Sequence, residues 1–269
     1  MNREPALSLA RFLDPRPAAT SLADPICDSV NIPLEALPRR MAELPPPETS
    51  ILVAATGELA RETLAFLESR GRKTLVATDF QRGAAATGAR LWQPNELLLD
   101  ALPTLPKGRS LDLGCGGGRD AVYMASEGWN VHAVDRLPDG IERGSDLAMH
   151  YLAADQQRMI RWEGADVLKP SFRPDRVYDL VAMFFFFDRD LVKRAIKWLA
   201  PGGTILIEAF TTIRQEQTGK PTSPARAVRP GEMAELLSPL QIVALEEAER
   251  SNGHTVRAWA TLTTSQPNA

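Results

Sequence analysis

The chain has 269 residues, of which 44% are hydrophobic and 24% charged, with a net charge of −3. That is enough chain for two ordinary domains with buried cores, and the balanced charge excludes the electrostatic footprint of a nucleic-acid or anionic-membrane binder. No segment approaches a membrane span or a signal-peptide core, and Cys27 and Cys115 are too few for a disulfide framework, so a reducing cytoplasmic setting is expected.

Residues 1–80 alternate short strands with helical patterns. ARFLD ends near Asp14, SVNIPL (29–34) reads as a strand, and EALPRRMAEL places Leu37, Met41 and Leu44 near helical spacing. SILVAA (50–55) is a short apolar run, hence a buried strand. In the helix that follows, Leu59, Thr63, Leu64 and Leu67 share a face, and Gly71 stops it. TLVATDF (74–80) is the next strand. This is a βαβ pattern and predicts a parallel sheet. Residues 85–108 read as a linker with a helix over 95–102, and the domain boundary is placed near residue 85. The resulting division is 1–84, 85–108 and 109–269.

From Ser110 the alternation resumes. SLDLG is a strand, followed by a glycine turn and a helix ended by Gly128. NVHAVD is the next strand, then come a helix over 139–154, a strand near 159–167 and the strand YDLVAMFF. A helix over 190–199 is closed by APGG, and TILIEAF follows. Residues 211–233 are too long for a simple connection, as binding loops and lids often are. After a helix over 230–237, QIVALEEAE and TVRAWATL are joined by SNGH and read as a hairpin that adds an antiparallel strand at the sheet edge.

The stretch with the strongest chemical signal is S-L-D-L-G-C-G-G-G-R-D (110–120). Asp112, Gly114, Gly116 and Gly118 stand as D-x-G-x-G-x-G between a strand and a helix. Glycine serves where φ is positive or a ligand must approach without meeting a Cβ, and the helix start behind the turn offers free N–H groups. Asp135 ends the next strand, where a carboxylate can accept ribose hydroxyls. The nicotinamide fingerprint G-x-G-x-x-G would need a glycine at 119, which is Arg119.

With an acid two residues before the first glycine, the segment from about Arg90 to Leu262 resembles the class I S-adenosylmethionine methyltransferases. G-A-D-V (164–167), Y-D-L-V (178–181) and L-A-P-G-G (199–203) fit that resemblance in order. It implies an α/β, Rossmann-like methyltransferase fold, with a seven-stranded sheet and an antiparallel edge hairpin. It also implies S-adenosylmethionine as cofactor, bound by Asp112, Gly114, Cys115, Gly116, Gly118, Asp135, Arg136, Asp166, Val167 and Met183. Asp166 would meet the adenine amino group, Val167 would pack on the ring, and Cys115 is a small packing residue of the turn. Asp112 serves either the cofactor or the turn itself, through hydrogen bonds to backbone, and Asp135 read alone is also a helix cap.

The acceptor should arrive at the carboxyl ends of the fourth and fifth strands. There Phe184 to Phe187 run consecutively; on a strand about two should face the site and two the packing, and the alternative is that all four are core. Asp188, Arg189, Glu208 and Arg229 are the polar groups placed near the acceptor, each with an alternative as a cap or salt-bridge partner. No general base stands out, since His132 lies in a strand and His150 in a helix, and no catalytic residue or metal site is assigned. Trp92 either closes over the cofactor or pins the linker helix over 95–102 to the sheet. RLW, the aromatic-DRDL run and EAFT resemble the tellurite-resistance-type small-molecule methyltransferases. This implies a small-molecule acceptor, a thiol or other soft chalcogen nucleophile, with no nucleic acid or membrane partner. A non-catalytic S-adenosylmethionine-binding sensor is the alternative, and a nicotinamide oxidoreductase a third.

Residues 13–80 resemble a rhodanese-like domain through L-D-P-R (13–16), P-I-C-D-S-V-N-I-P-L (25–34), MAELPP and I-L-V-A-A-T-G-E-L (51–59). The resemblance places the sulfur-carrying cysteine at Ala54 or Ala55, neither of which is a nucleophile, while Cys27 falls away from that loop. It implies an inactive module that either presents a homodimer or protein-partner surface or only stabilises the second domain.

Overall fold

The structure is a computed structural model and describes residues 7–83 and 88–263. Contacts divide the chain into two compact units, Met1–Gln93 and Pro94–Ala269. The boundary expected near residue 85 falls in 84–87, outside the described residues. Trp92 belongs to the first unit and the helix at Glu96–Ala101 to the second.

In the first unit, β1 (Phe12–Asp14), β2 (Ser29–Asn31), β3 (Ile51–Val53) and β4 (Thr74–Val76) form an all-parallel sheet in the order β2-β1-β3-β4. Helices α1 (Ala18–Ala23), α2 (Leu37–Arg40) and α3 (Gly57–Ser69) connect them. On α3, Ala60, Thr63 and Leu67 are buried, with Leu59 and Leu64 packed at the margin of the core. Two expectations were too long. The strand at 29–34 stops at Asn31, because Pro33 cannot donate to a ladder. The helix over 35–44 is one short α-turn flanked by 3-10 turns, with Pro38 in its first turn. The buried Asp14 carboxylate at the end of β1 takes both arms of Arg16, each at 2.8 Å.

The second unit opens with α4 (Glu96–Ala101), whose cap is Asn95, accepting the Leu97 amide at 2.9 Å. Strands β5 (Arg109–Leu113), β6 (Asn130–Asp135), β7 (Ile160–Gly164), β8 (Tyr178–Phe184), β9 (Leu199–Phe210), β10 (Gln241–Arg250) and β11 (Gly253–Thr261) build one sheet, ordered β10-β11-β9-β8-β5-β6-β7. β5 to β9 are parallel, whereas β11 runs antiparallel to both β9 and β10. The antiparallel strand therefore sits one place in from the edge, and β10 is the edge itself. This is the expected α/β, Rossmann-like architecture, with a seven-stranded mixed sheet.

The helices are α5 (Arg119–Ser126), α6 (Pro138–Tyr151), α7 (Ala154–Gln157), α8 (Arg189–Ile196), α9 (Thr212–Thr218) and α10 (Glu232–Leu236). Residues 211–233, expected to be loop, contain α9 and a 3-10 turn at Pro224–Arg226. The helix expected over 190–199 ends at Ile196, and Leu199 already pairs with Tyr178 of β8. The sheet claims those residues because Leu199 and Ala200 are buried against the core. β5 pairs with both β6 and β8, so the connections reverse direction at β5. A cleft at the carboxyl ends of β5 and β8 follows from that reversal.

Candidate active site

The glycine turn follows β5. Gly114, Gly116 and Gly118 all have positive φ, at 78°, 53° and 73°, where a Cβ would be strained. The three have different neighbours. A Cβ on Gly114 would lie 3.0 Å from the Phe186 ring. Gly116 and Gly117 face open space. A Cβ on Gly118 would lie 2.5 Å from Trp162 of β7 and 2.8 Å from the Cα of Gly144 on α6. One turn earlier on α6, a Cβ on Gly140 would lie 2.9 Å from the Gly116 carbonyl. Gly118 therefore lets α6 and Trp162 close on the turn and does not itself line the cavity. Its packing role is invisible in the motif, because Gly140, Gly144 and Trp162 lie on other elements.

Asp135 ties the turn down. Its Oδ2 accepts the Gly116 amide and its Oδ1 the Leu137 amide, each at 2.9 Å. Each carboxylate oxygen keeps a further lone pair. Asp112 does not bond the turn in this way. It is buried, its Oδ2 has no hydrogen-bond partner, and burial together with Asp120 and Asp135 pushes its carboxyl well above the usual carboxylate range. Asp120, in the first turn of α5, went unnoticed in the sequence. Burial pushes it up to about 6, against the Asn95 amide that bonds its Oδ1 at 2.6 Å and the opposing charge of Arg119, while Glu208 adds to the rise. Cys115 is half-buried, and burial with the same carboxylates raises its thiol, so it stays protonated and is no nucleophile.

A cavity of about 420 Å³ opens at the carboxyl ends of the parallel strands, the size of a small-molecule site. Gly114, Asp135, Arg136, Leu137, Ala165, Asp166, Val167 and Leu168 line one half. Phe184 to Phe187, Phe210, Pro221 and Arg226 line the other. The cavity thus gathers Gly114, Asp135, Arg136, Asp166 and Val167 of the residues expected at a cofactor. Asp112, Cys115, Gly116, Gly118 and Met183 lie outside its lining, and Met183 is fully buried in the core of the sheet.

All four phenylalanines touch the cavity, against the expected two. The reason is that regular strand geometry stops at Phe184. Phe185 has φ of 54° and is half exposed, with its ring 5.2 Å from that of Phe210. Phe187 is nonetheless buried to 2% exposure. Arginines stack on this aromatic wall. Arg226 lies 5.5 Å from the Phe186 centroid and Arg214 3.9 Å from that of Phe210. Phe210 lies in the E-A-F-T run at the end of β9, whereas nothing in the sequence singles out Arg226 and Pro221 beyond the length of their loop.

Of the polar groups expected near the acceptor, none lines the cavity. Asp188 caps α8 by accepting the Leu191 amide. Arg189 and Arg229 both hold Glu232, which those arginines and the Arg229 amide, outweighing burial, bring down to about 2. Glu208 is enclosed by Asn95 Nδ2 at 2.8 Å, Thr255 Oγ1 at 3.0 Å and Arg257 Nε at 3.1 Å. His132 is bound at 2.7 Å to the Tyr178 hydroxyl and at 2.8 Å to Glu163. It lies beside the amino ends of β5, β7 and β8, in register with Leu111 and Arg161, away from the cavity.

The sequence pattern of the family described as Methyltransferase domain matches residues 81–257. The chain belongs to the methyltransferase domain family. S-adenosylmethionine is its cofactor. Among curated relatives, a phosphoethanolamine N-methyltransferase of Triticum aestivum is 29% identical over 150 residues, covering 53% of this chain and 27% of that protein. The chain thus spans about a quarter of that relative's length. Among solved structures, TehB from Haemophilus influenzae aligns with a TM-score of 0.51 at 19% identity, covering 62% of each chain. The N-methyltransferase NodS from Bradyrhizobium japonicum, in complex with S-adenosyl-L-homocysteine, aligns with a TM-score of 0.50 at 17% identity, covering 62% of this chain and 84% of that one. At those identities the likeness is one of fold.

The methyltransferase site suits that cofactor in three respects. Asp112 presents a buried carboxylate oxygen that lacks a donor. The turn is open at Gly116 and Gly117. Asp135, Asp166 and several aromatic rings line the cavity, and carboxylates and ring faces both favour a cationic ligand. Among the described residues no cluster of side chains is arranged to hold a metal ion, and no helix is long and apolar enough to cross a membrane.

Proposed function

We propose that this chain transfers the methyl group of S-adenosylmethionine to a small-molecule acceptor by in-line displacement. The observation that carries the reading is the cavity itself, where Asp135, Asp166 and Val167 on one half face an aromatic wall on the other. In this reading Asp135 receives the ribose hydroxyls through its remaining lone pairs, and Asp166 and Val167 hold the adenine. Arg136 flanks the ribose. Gly114 and Gly116 let the methionine part approach, the orphaned Asp112 oxygen meets its ammonium, and Cys115, Gly118 and Met183 shape the floor from behind. When bound, the sulfonium supplies an activated methyl group. The protein's part is orientation and exclusion of water, worth on the order of 7–11 kcal/mol for well-placed reactants.

Titration of the purified protein with S-adenosylmethionine, S-adenosylhomocysteine and NAD tests the reading. Micromolar binding of the first two and none of NAD is expected. Binding of NAD alone would sink it.

The unit Met1–Gln93 is read as a rhodanese-like scaffold without sulfur-transfer chemistry, in a cytoplasmic protein. Its support is the parallel sheet with Ala54 and Ala55, both buried, between β3 and α3. Its role in this reading is to present a partner or a second copy. Deleting residues 1–84 should lower acceptor affinity or change oligomeric state; an unchanged KM and mass would leave it a structural appendage.

A further inference from the structure

The two halves of the cavity differ in chemistry. The half at the ends of β8 and β9 presents the four phenylalanines, Phe210, Pro221 and one charged group, Arg226. None of these can take a proton, since a guanidinium stays charged throughout the working pH range. Three neighbouring titratable groups already have partners. Asp188 accepts the Leu191 amide and lies 3.8 Å from Arg226. Glu208 is enclosed by Asn95, Thr255 and Arg257, and His254 Nδ1 is bound to Thr211 Oγ1 at 2.8 Å. Asp135 and Asp166 line the other half.

Among the described residues, nothing that lines this wall can receive the proton that a neutral alcohol or a protonated amine would have to lose. An ionised acceptor has none to lose. Arg226 is held over the Phe186 ring and donates to the Phe187 carbonyl at 3.1 Å. Its orientation is therefore set, and an anion beside apolar walls feels its charge more strongly than in water.

We propose that the methyl acceptor is a pre-ionised anion on an apolar, ring-sized body, a thiolate or a carboxylate, held by Arg226; this rests on the methyl-transfer reading above. The acceptor's lone pair forms the bond to the methyl carbon as the carbon–sulfonium bond breaks and its electron pair stays on sulfur. No proton is released, and the acceptor's negative charge cancels the sulfonium's positive one.

The test uses the full chain and four probes on one ring: benzenethiol, benzoate, benzylamine and phenol. S-adenosylhomocysteine formation at pH 7 should be at least tenfold faster, as kcat/KM, for benzenethiol or benzoate than for benzylamine and phenol, and which of the two is faster separates thiolate from carboxylate. Calorimetry on the S-adenosylhomocysteine complex should show the preferred anion binding at least tenfold more weakly to Arg226→Gln, with Arg226→Lys recovering part of the loss. Faster turnover of benzylamine or phenol, turnover of none of the four, or an unaltered anion affinity in Arg226→Gln would each overturn the inference, provided S-adenosylhomocysteine still binds. Failure to bind S-adenosylhomocysteine at all would instead remove the methyl-transfer reading, and the inference with it.

Discussion

Asp135 at the end of β6 holds the Gly116 amide of the neighbouring turn at 2.9 Å, so one carboxylate closes the gap between two parallel strands. The same side chain borders the cavity. Fold and site therefore share this residue. Asp135→Ala should weaken S-adenosylhomocysteine binding by roughly 1–3 kcal/mol, the cost of hydrogen bonds to a charged group. It should also lower the melting temperature, because two backbone amides lose their acceptor. Calorimetry and a thermal melt read the two effects separately, and unchanged affinity with a lowered melting point would make Asp135 a structural tie only.

Neighbouring glycines of the turn should respond very differently to alanine. At Gly118 the new Cβ would meet Trp162 at 2.5 Å in a left-handed backbone, which costs on the order of 1–3 kcal/mol from strain alone. Gly117 faces open space and has no such backbone demand. Chemical denaturation should show Gly118→Ala strongly destabilised and Gly117→Ala within about 0.5 kcal/mol of the parent, as for an ordinary surface change.

The buried carboxylates set a pH dependence with an unusual sign. Asp120 is raised from 3.8 to about 6 on folding, so between those values the folded state binds more protons than the unfolded one. Its contribution to stability therefore falls as pH rises through that window. Asp120→Asn keeps an oxygen for the Asn95 amide and should raise the melting temperature at pH 7.5. The gain should fade below about pH 4, and a gain that persists there would show that Asp120 titration is not its source.

Glu232 has the opposite sign. Its carboxyl is lowered from 4.5 to about 2 by Arg189 and Arg229, so its contribution is whole above about pH 4.5 and is lost as pH falls toward 2. Melting curves of the parent and Glu232→Gln should differ at pH 7 and converge in acid.

Within the phenylalanine run, burial separates the outcomes. Phe187 is 2% exposed and Phe185 44%. Phe187→Ala should cost about 3–5 kcal/mol, as a deleted core aromatic does. Phe185→Gly gives up the Phe210 contact but relieves a left-handed backbone and should stay within about 1 kcal/mol of the parent. Equal losses in denaturant titrations would show that the exposed ring is as firmly packed as the buried one.

The strands, helices and glycine turn of the second unit were readable in the sequence because their signals are local. Period-two and near-3.6 apolar spacing places strands and helices, and glycine marks backbone that other residues cannot adopt. Where those signals misled, a tertiary demand had overridden them. Leu199 and Ala200 joined β9 because the core needed them, and Phe185 left strand geometry although the run looked uniform. The four polar residues expected at the acceptor failed for a related reason. A charged side chain next to a strand end looks the same in sequence whether it faces a cavity or a partner, and Asp188, Arg189, Glu208 and Arg229 all found partners.

The sequence by itself determined that β5 ends in a glycine turn, that an acid closes β6, and that a nicotinamide fingerprint is broken at Arg119. Only the tertiary structure decided which charges share low-dielectric space. Asp120 raises the carboxyl of Asp112, and Glu208, more than eighty residues further along the chain, raises that of Asp120. Trp162 and Gly144 explain Gly118, and Arg226 reaches the Phe186 ring from a loop forty residues later. Electrostatic and steric energies depend on distance in space, which chain folding sets and local sequence patterns do not encode.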